Sequence, residues 1–592
     1  VLAFAAALLP IGPIASARAD VVPSLDPAPG AIGPALVLAQ PSLGLGTVTS
    51  GAMSDLVVHV EWPHADDVTV AITNAYVSNA KPAVETHVHM DKSLTVVLPV
   101  DPTQLYGGDF AVVVRDHRGE ELGRARVNAG SRDTPVVVAM LGDAETALVT
   151  ELGQARIDHR APYGGMEVKS VTISHPPIVE GRTRPPEHVY GYQEATLVLA
   201  SDKEISALTP AARAALVSWV KLGGRLALVD THTAALADIP HKAGPSSLGA
   251  GRVLTLSPNE PHASFLQLSE EVRAALESPR TGVLASSGRG YELDSMRRAL
   301  DPNEHFRPAL GAAALLLVIY AIVVGPVLYR RARRRQKPLE VLVTIPVASV
   351  VAFGLILGIG LLSKGIHGRS RRLTFVELGN GEEAGPSRIY RAFYSTHSTT
   401  VDIEPATPFS LPRLAIASSN SRGDHGETLL LTGDKSVLRN VTLPPWQSVL
   451  TSDEAATSFG GGITVSDELV RNDTPRALRD AFVHATDGRC VYFADIAPHT
   501  SVSVQKGAFA GRSCESGAFY AWELGQAVPQ DRRESFVMAW TAVSEQANEA
   551  LFQKYRATLV AEVTGMPEPT TDSGLKVESS RTLVRVVDGG AR

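Results

Sequence analysis

The amino-acid sequence predicts a multidomain α+β membrane protein. Three observations predict it. Two uncharged apolar runs, 308–329 and 341–362, lie in tandem around a short basic turn. Short alternating strand patterns fill 20–131 and much of 364–592, punctuated by Gly, Pro, Asn and Asp. Between the first of these and the apolar runs, 132–260 alternates strand and helix patterns, the signature of a largely parallel sheet covered by helices.

Taken in order, residues 1–19 read as a secretory signal peptide. Positions 2–9 are apolar, and Ala17-Arg18-Ala19 forms a cleavage pattern before Asp20. Such a peptide exports the chain behind it, which places 20–306 outside the cytoplasm.

Residues 20–131 read as an immunoglobulin-like β-sandwich. Val68, Val70 and Ile72 alternate with Thr69, Ala71 and Thr73, and 56–62, 94–98 and 110–114 are further strand candidates. His87 and His89 share one face of a strand with Asp91, a minimal zinc pattern. No further ligand is evident, so solvent-facing histidines are the favoured reading, and neither a metal nor a cofactor is expected.

In 132–260, strand patterns at 135–141, 168–173 and 195–200 precede the clearest local signal of this region. Thr209-Pro210 opens a helix with a capping residue and a proline at its first position. Gly223-Gly224 closes it before the strand 225–229. Ser201, Asp230 and His232 follow strands, where α/β sheets place ligands, and form a candidate ligand edge. Tyr192, the run 195–200, Thr209-Pro210, Trp219 and Gly223-Gly224 together resemble the glutamine-amidotransferase-like (flavodoxin-like) domain of exported bacterial membrane proteins. Enzymes of that superfamily use a cysteine at a strand-to-helix elbow. The only cysteines here are Cys490 and Cys514, so the resemblance implies the fold without the activity. Residues 261–306 then read as a helical linker.

Each apolar run holds 22 residues. At about 1.5 Å per residue such a helix covers roughly 33 Å, enough for a hydrocarbon core of about 30 Å. The sequence thus predicts a two-helix transmembrane hairpin, 307–330 and 340–363, around a loop at 331–339. Arg330, Arg331, Arg333, Arg334, Arg335 and Lys337 make the turn cationic, and short loops of that kind stay cytoplasmic. Lys364, Arg369, Arg371 and Arg372 come after the second run, so the charge bias is modest on its own. Gly354 and Gly358 have the spacing that lets two membrane helices approach closely. Two crossings return the chain outside, which makes 364–592 extracytoplasmic as well.

That last part divides into a β region at 364–459 and a β-rich C-terminal domain at 460–592, with Gly460-Gly461-Gly462 between them. Cys490 and Cys514 are candidates for a disulfide in an oxidising compartment, with two buried thiols as the alternative. The order of parts, with Tyr320, Gly325-Pro326 and Tyr329 ahead of the basic turn, resembles uncharacterised bacterial envelope proteins. That resemblance implies the cytoplasmic (inner) membrane and no transferable activity.

Several chemistries lack their residues. The formal net charge is −7 and the one basic cluster contains no aromatic residue, which argues against nucleic acid. There is no Gly-Lys for a phosphate loop, and neither His-Glu-x-x-His nor Cys-x-x-Cys occurs. The apolar runs carry no ionisable side chain besides Tyr320 and Tyr329, which argues against an ion or proton path. The expectation is a non-enzymatic envelope protein, anchored by two spans, that binds a protein partner or ligand outside the cytoplasm. An auxiliary subunit of an envelope transport or export machine is the first alternative. A divergent hydrolase using the strand ends of 132–260 is the second.

Overall fold

The computed structural model describes residues 34–588 apart from short internal segments, the longest being 101–108, 230–238, 278–291, 415–427, 510–520 and 547–556. The described chain is rich in strands arranged in several sheets, with helices on their faces. The expected signal peptide lies outside the described residues.

The alternating residues of 56–114 form a sandwich. Val68, Val70 and Ile72 are buried as their alternation predicts. One layer has three antiparallel strands, with Ser54–Glu61 between Leu36–Pro41 and Ser93–Val100. The other has seven strands, in the order Thr399–Ile403, Lys435–Leu443, Thr428–Thr432, Val84–Met90, Asp66–Asn74, Phe110–Arg115 and Glu121–Val127. Three of these come from beyond the apolar hairpin. Leu429 pairs in parallel with Val84, and Leu431 with Thr86. Ile403, Leu438 and Val441 share a core with Val58, Val70 and Val112. The sandwich therefore does not close within 20–131, where the sequence pattern placed it. Alternation tells which face of a strand is buried and not which strand lies beside it.

The parallel sheet of 132–260 matches its reading. Met166–Ser174, Val136–Met140, Leu197–Ser201, Arg225–Val229 and Gly251–Leu256 run parallel, flanked by antiparallel edges Arg156–Arg160 and Gly244–Leu248. The helix Pro210–Lys221 buries Leu216, Trp219 and Val220 on one face of it. A side chain at Gly224 would collide with the Trp219 ring at 2.4 Å, which explains a glycine at the helix exit. The expected linker 261–306 is instead divided between two cores. Pro261–Glu277 packs Leu268 and Val272 on this sheet, whereas Glu292–Ala299 sends Met296 into the core of the C-terminal sheet.

That C-terminal sheet has ten strands and crosses the border placed at 459. Its centre is Arg369–Gly379, flanked by Ala384–Tyr394 and Leu575–Val587. The helix Gln530–Gln546 covers one face through Phe536 and Trp540. The small sheet Ile463–Val465, Leu469–Asn472 and Thr500–Ser503 covers the other.

The apolar runs are helical. The first is Arg307–Ile322, a π-helical turn Val323–Val327 and Leu328–Arg334; the second is Glu340–Lys364. Pro326 lies in the π turn, where its missing N–H removes a ladder bond. Tyr320 Oη lies 2.6 Å from Ser349 Oγ, and Ser349 donates to the Ile345 carbonyl, so the Tyr320 hydroxyl is the donor between the helices. Among the described residues one helix is long and apolar enough to cross a membrane, Ala313–Arg331, and none of it is buried. The second yields a shorter apolar stretch, Val343–Ile356, where two full spans were expected. Gly354 and Gly358 do not meet the first helix, one of the surfaces their spacing suits, since no atom lies within 4 Å of a Cβ built at either.

Candidate functional site

Two polar constructions organise the molecule. The first closes the base of the hairpin. Arg369 and Arg371, two apart on one strand, share a face. Arg369 Nη1 and Arg371 Nε donate to the two oxygens of Glu578 at 3.0 and 2.9 Å. Arg371 Nη1 also donates to the Asp301 carbonyl at 2.6 Å. The residues just before and just after the hairpin are therefore held at one point.

The second is the junction of the sandwich, the parallel sheet and the C-terminal sheet. Asp55, fully buried at the start of its strand, accepts the backbone N–H groups of Glu187 and His188 at 3.0 and 2.8 Å. Its other oxygen lies 3.0 Å from His188 Nδ1. Burial works against the imidazolium of His188, but the charge and hydrogen bond of Asp55 outweigh it, and the pKa is raised. Tyr190 donates to the Glu454 carbonyl at 3.0 Å and accepts the Glu454 N–H at 3.2 Å. Burial raises the Tyr190 pKa far above the ordinary phenol value, so it stays a neutral donor. Gln193 joins all three parts, accepting from the Met53 N–H at 2.9 Å and donating to Glu454 at 3.3 Å.

Beneath Tyr190 the charges are paired. Arg388 donates to Glu454 at 2.8 Å. Arg391 holds Asp453 through Nε and Nη2 at 3.0 and 2.7 Å and Asp572 through Nη1 at 2.8 Å. The remaining Asp453 oxygen accepts from Ser410 at 3.0 Å and the Ala406 N–H at 3.1 Å. Such a network fixes geometry, and removing one member strands the others without water. An adjoining hollow lined by Met53, Val84, Leu411, Arg413 and Leu429 has about 10 Å³ of free space, enough for one water.

Asp480 is a third point, and no local pattern in the sequence marks it. It sits at φ 48° where the pairing of its strand shifts register. Its carboxylate accepts from Tyr492 at 2.7 Å and lies 3.3 Å from Arg532. Burial raises its pKa against both partners. An aspartate forced into left-handed backbone is uncommon, and here it coincides with the irregular pairing of the strand.

Of the residues singled out from sequence, Ser201 is a helix cap. Its Oγ accepts the Glu204 N–H at 3.3 Å and Glu204 accepts the Ser201 N–H at 2.7 Å. Asp230 and His232 lie outside the described residues. His87 meets Thr69 at 2.8 Å, and His89 meets Asp67 at 2.7 Å and Asp91 at 3.6 Å, but the three expected ligands do not converge as one set. The described residues that do converge as ligand types are Asp66, Asp116 and His117. Their atoms already close a turn. His117 Nδ1 lies 2.8 Å from Asp66, its Nε2 accepts from Arg118 at 3.3 Å, and Asp116 accepts the N–H groups of Arg118 and Glu120. Cys490 is fully buried and disulfide-bonded. Cys514, the other cysteine of the chain, lies outside the described residues. Arg330, Arg331, Arg333 and Arg334 are exposed on the first helix, and Arg335 and Lys337 lie outside the described residues.

No protein-family model matches the chain, and no curated protein matches it. Among solved structures, the yeast delta-COP-I mu-homology domain complexed with a Dsl1 peptide covers 37% of this chain and 95% of its own, at 6% identity and a TM-score of 0.15. A Salmonella alpha-2-macroglobulin mutant covers 74% of this chain and 39% of its own, at 10% identity and a TM-score of 0.12. Superposition at that level defines no shared fold.

Proposed function

We propose that this chain is a non-enzymatic, membrane-anchored protein of the cell envelope. Its two large parts form one body on the outer face of the membrane, the hairpin 307–364 holds that body in place, and the body binds a protein partner or ligand outside the cytoplasm. The observation that carries the reading is the return of the chain to its starting point. Arg371 bonds the Asp301 carbonyl, and Leu429 pairs with Val84 in one sheet. Parts that share a sheet and a core lie on one side of a bilayer, so the segment between them crosses an even number of times.

Ala313–Arg331 is long enough to span, and if it crosses, an even number requires the second helix to cross too. Exposed Leu315, Ile319, Ile322, Val347, Val350 and Phe353 suit a lipid environment. The network at the junction is neutralised internally and offers rigidity in place of an open acid, base or nucleophile, which favours binding over catalysis.

Alkaline carbonate extraction of membranes carrying the full chain tests the anchor: retention in the pellet supports it, and release into the supernatant overturns it. Crosslinking of intact cells with a reagent confined to the outside tests the binding role. A specific partner is the expected product. Failure to recover one, with no ligand-induced stabilisation, counts against it.

A further inference from the structure

The cations at the two ends of the hairpin are not equivalent, although both ends carry several. At the body end, Arg369 and Arg371 are consumed by Glu578 and the Asp301 carbonyl. At the turn end, Arg330, Arg331, Arg333 and Arg334 are all exposed. Residues 307–339 contain neither Asp nor Glu, and the first acid after them is the single Glu340 at the start of the second helix. The four belong to the helical segment Leu328–Arg334, which continues the exposed apolar stretch Ala313–Arg331. Tyr329, 65% exposed, stands at the boundary between apolar and cationic surface, the position an amphipathic ring takes at a lipid interface.

At about 100° per residue the four arginines cover roughly 160° of the helix circumference. Pairs three or four apart, such as Arg330 with Arg333 or Arg334, stand about 5–6 Å from one another at Cβ. A guanidinium presents a planar fork of donors that fits phosphate oxygens in pairs. Two such forks side by side suit one phosphodiester. The net charge of the whole chain is −7, so general attraction of an acidic surface to the protein does not account for binding here.

We infer that the exposed arginines Arg330, Arg331, Arg333 and Arg334 form a binding collar for the phosphate headgroups of anionic glycerophospholipids on the cytoplasmic face. The inference rests on the membrane-anchor reading and deepens it, because it gives the turn a ligand as well as a side. The collar fixes the depth of the first helix, and with it the height of the outer body above the bilayer.

The test is reconstitution of the full chain into vesicles of phosphatidylcholine mixed with phosphatidylglycerol, followed by mass analysis of the lipid that stays with the purified chain. Phosphatidylglycerol is expected to be enriched severalfold over its bulk share, since each near-surface Arg favours anionic lipid by about a factor of five. In the R330Q/R331Q/R333Q/R334Q variant, which keeps Arg335 and Lys337, the enrichment falls severalfold. The R330K/R331K/R333K/R334K variant holds the charge and orientation constant but lacks the paired donors of the guanidinium fork, and keeps only part of the enrichment. Enrichment that is absent in the native chain, or unchanged in the Gln variant, overturns the inference. Inorganic phosphate is compared with chloride at equal ionic strength. Equal effects support a lipid occupant, and selective stripping by phosphate assigns the collar to free phosphoanions instead. A chain that inserts without preference defeats this inference alone, whereas one that fails to insert into these vesicles defeats the anchor.

Discussion

Arg371 donates a 2.6 Å hydrogen bond to the backbone carbonyl of Asp301, across the whole length of the apolar hairpin. The same guanidinium reaches Glu578 at 2.9 Å, in the last strand of the C-terminal sheet. One side chain thus ties the entry of the hairpin, its exit and the end of the fold.

Removing that tie has a predictable cost. Glu578→Ala leaves Arg369 and the mostly buried Arg371 without their carboxylate. A loss of about 1–3 kcal/mol in unfolding free energy is expected, as for a hydrogen bond to a partly buried charge. Thermal melts of the full chain in detergent check it. A melting temperature unchanged from the native chain would show that the tie is ornamental.

The junction network is expected to be more sensitive. Arg391→Met removes the cation that serves both Asp453 and Asp572 and strands the buried carboxylate of Asp453 and the largely covered one of Asp572. About 3–5 kcal/mol is the expected loss. Combining it with D453N and D572N recovers a large part, because the stranded charges are then gone. Denaturant unfolding of the single and triple variants measures the difference.

A third prediction concerns pH. Glu382 is folded back on the Gly379 N–H in a tight turn, and burial pushes its carboxyl up to about 7, against that hydrogen bond. Its protonated form is therefore the one the fold favours. Stability is highest while it is protonated, falls as pH rises from the ordinary carboxyl value through about 7, and then levels. Glu382→Gln keeps an acceptor for Gly379 and removes the titration. The variant is expected to match the native chain at acid pH and to exceed it above neutrality by up to about 3 kcal/mol. Parallel slopes for the two proteins across that range would contradict the assignment.

A fourth prediction concerns folding. The strand Val84–Met90 takes its outer partner from Thr428–Thr432. A chain ending before the hairpin leaves that strand edge and the apolar face of the sandwich uncovered. It is expected to aggregate or be degraded, and to be rescued by co-expression of 364–592. Stable folding of the truncated chain alone would show that the sandwich is self-sufficient.

What the sequence disclosed and what it hid divide along one line, the separation of the partners. The helix Pro210–Lys221 is legible because its start, apolar face and glycine exit are local, and Val68, Val70 and Ile72 are legible because alternation is local. The Ser201 cap is missed although Ser201 and Glu204 have the local capping-box spacing, because its position at a strand end points to a ligand edge. Nothing near Val84 announces Leu429, and nothing near Arg391 announces Asp453 and Asp572. Those pairings arise only when distant strands meet, so both the shared sandwich and the junction are invisible in the sequence. The ends of the hairpin show the same limit. Their cations look alike in sequence, and only the fold separates the arginines bound to Glu578 from those left exposed.

The measurement that tests the central claim most directly is labelling of single cysteines introduced at Arg118, Gln336 and Asp531, using a maleimide that cannot cross the membrane, in intact and permeabilised cells. Arg118→Cys and Asp531→Cys, one in each large part, are expected to react from the same outer side. Gln336→Cys, in the turn, is expected to react only after permeabilisation. Labelling of positions 118 and 531 from opposite sides, or of all three positions without permeabilisation, would contradict a single outer body held by a two-span hairpin.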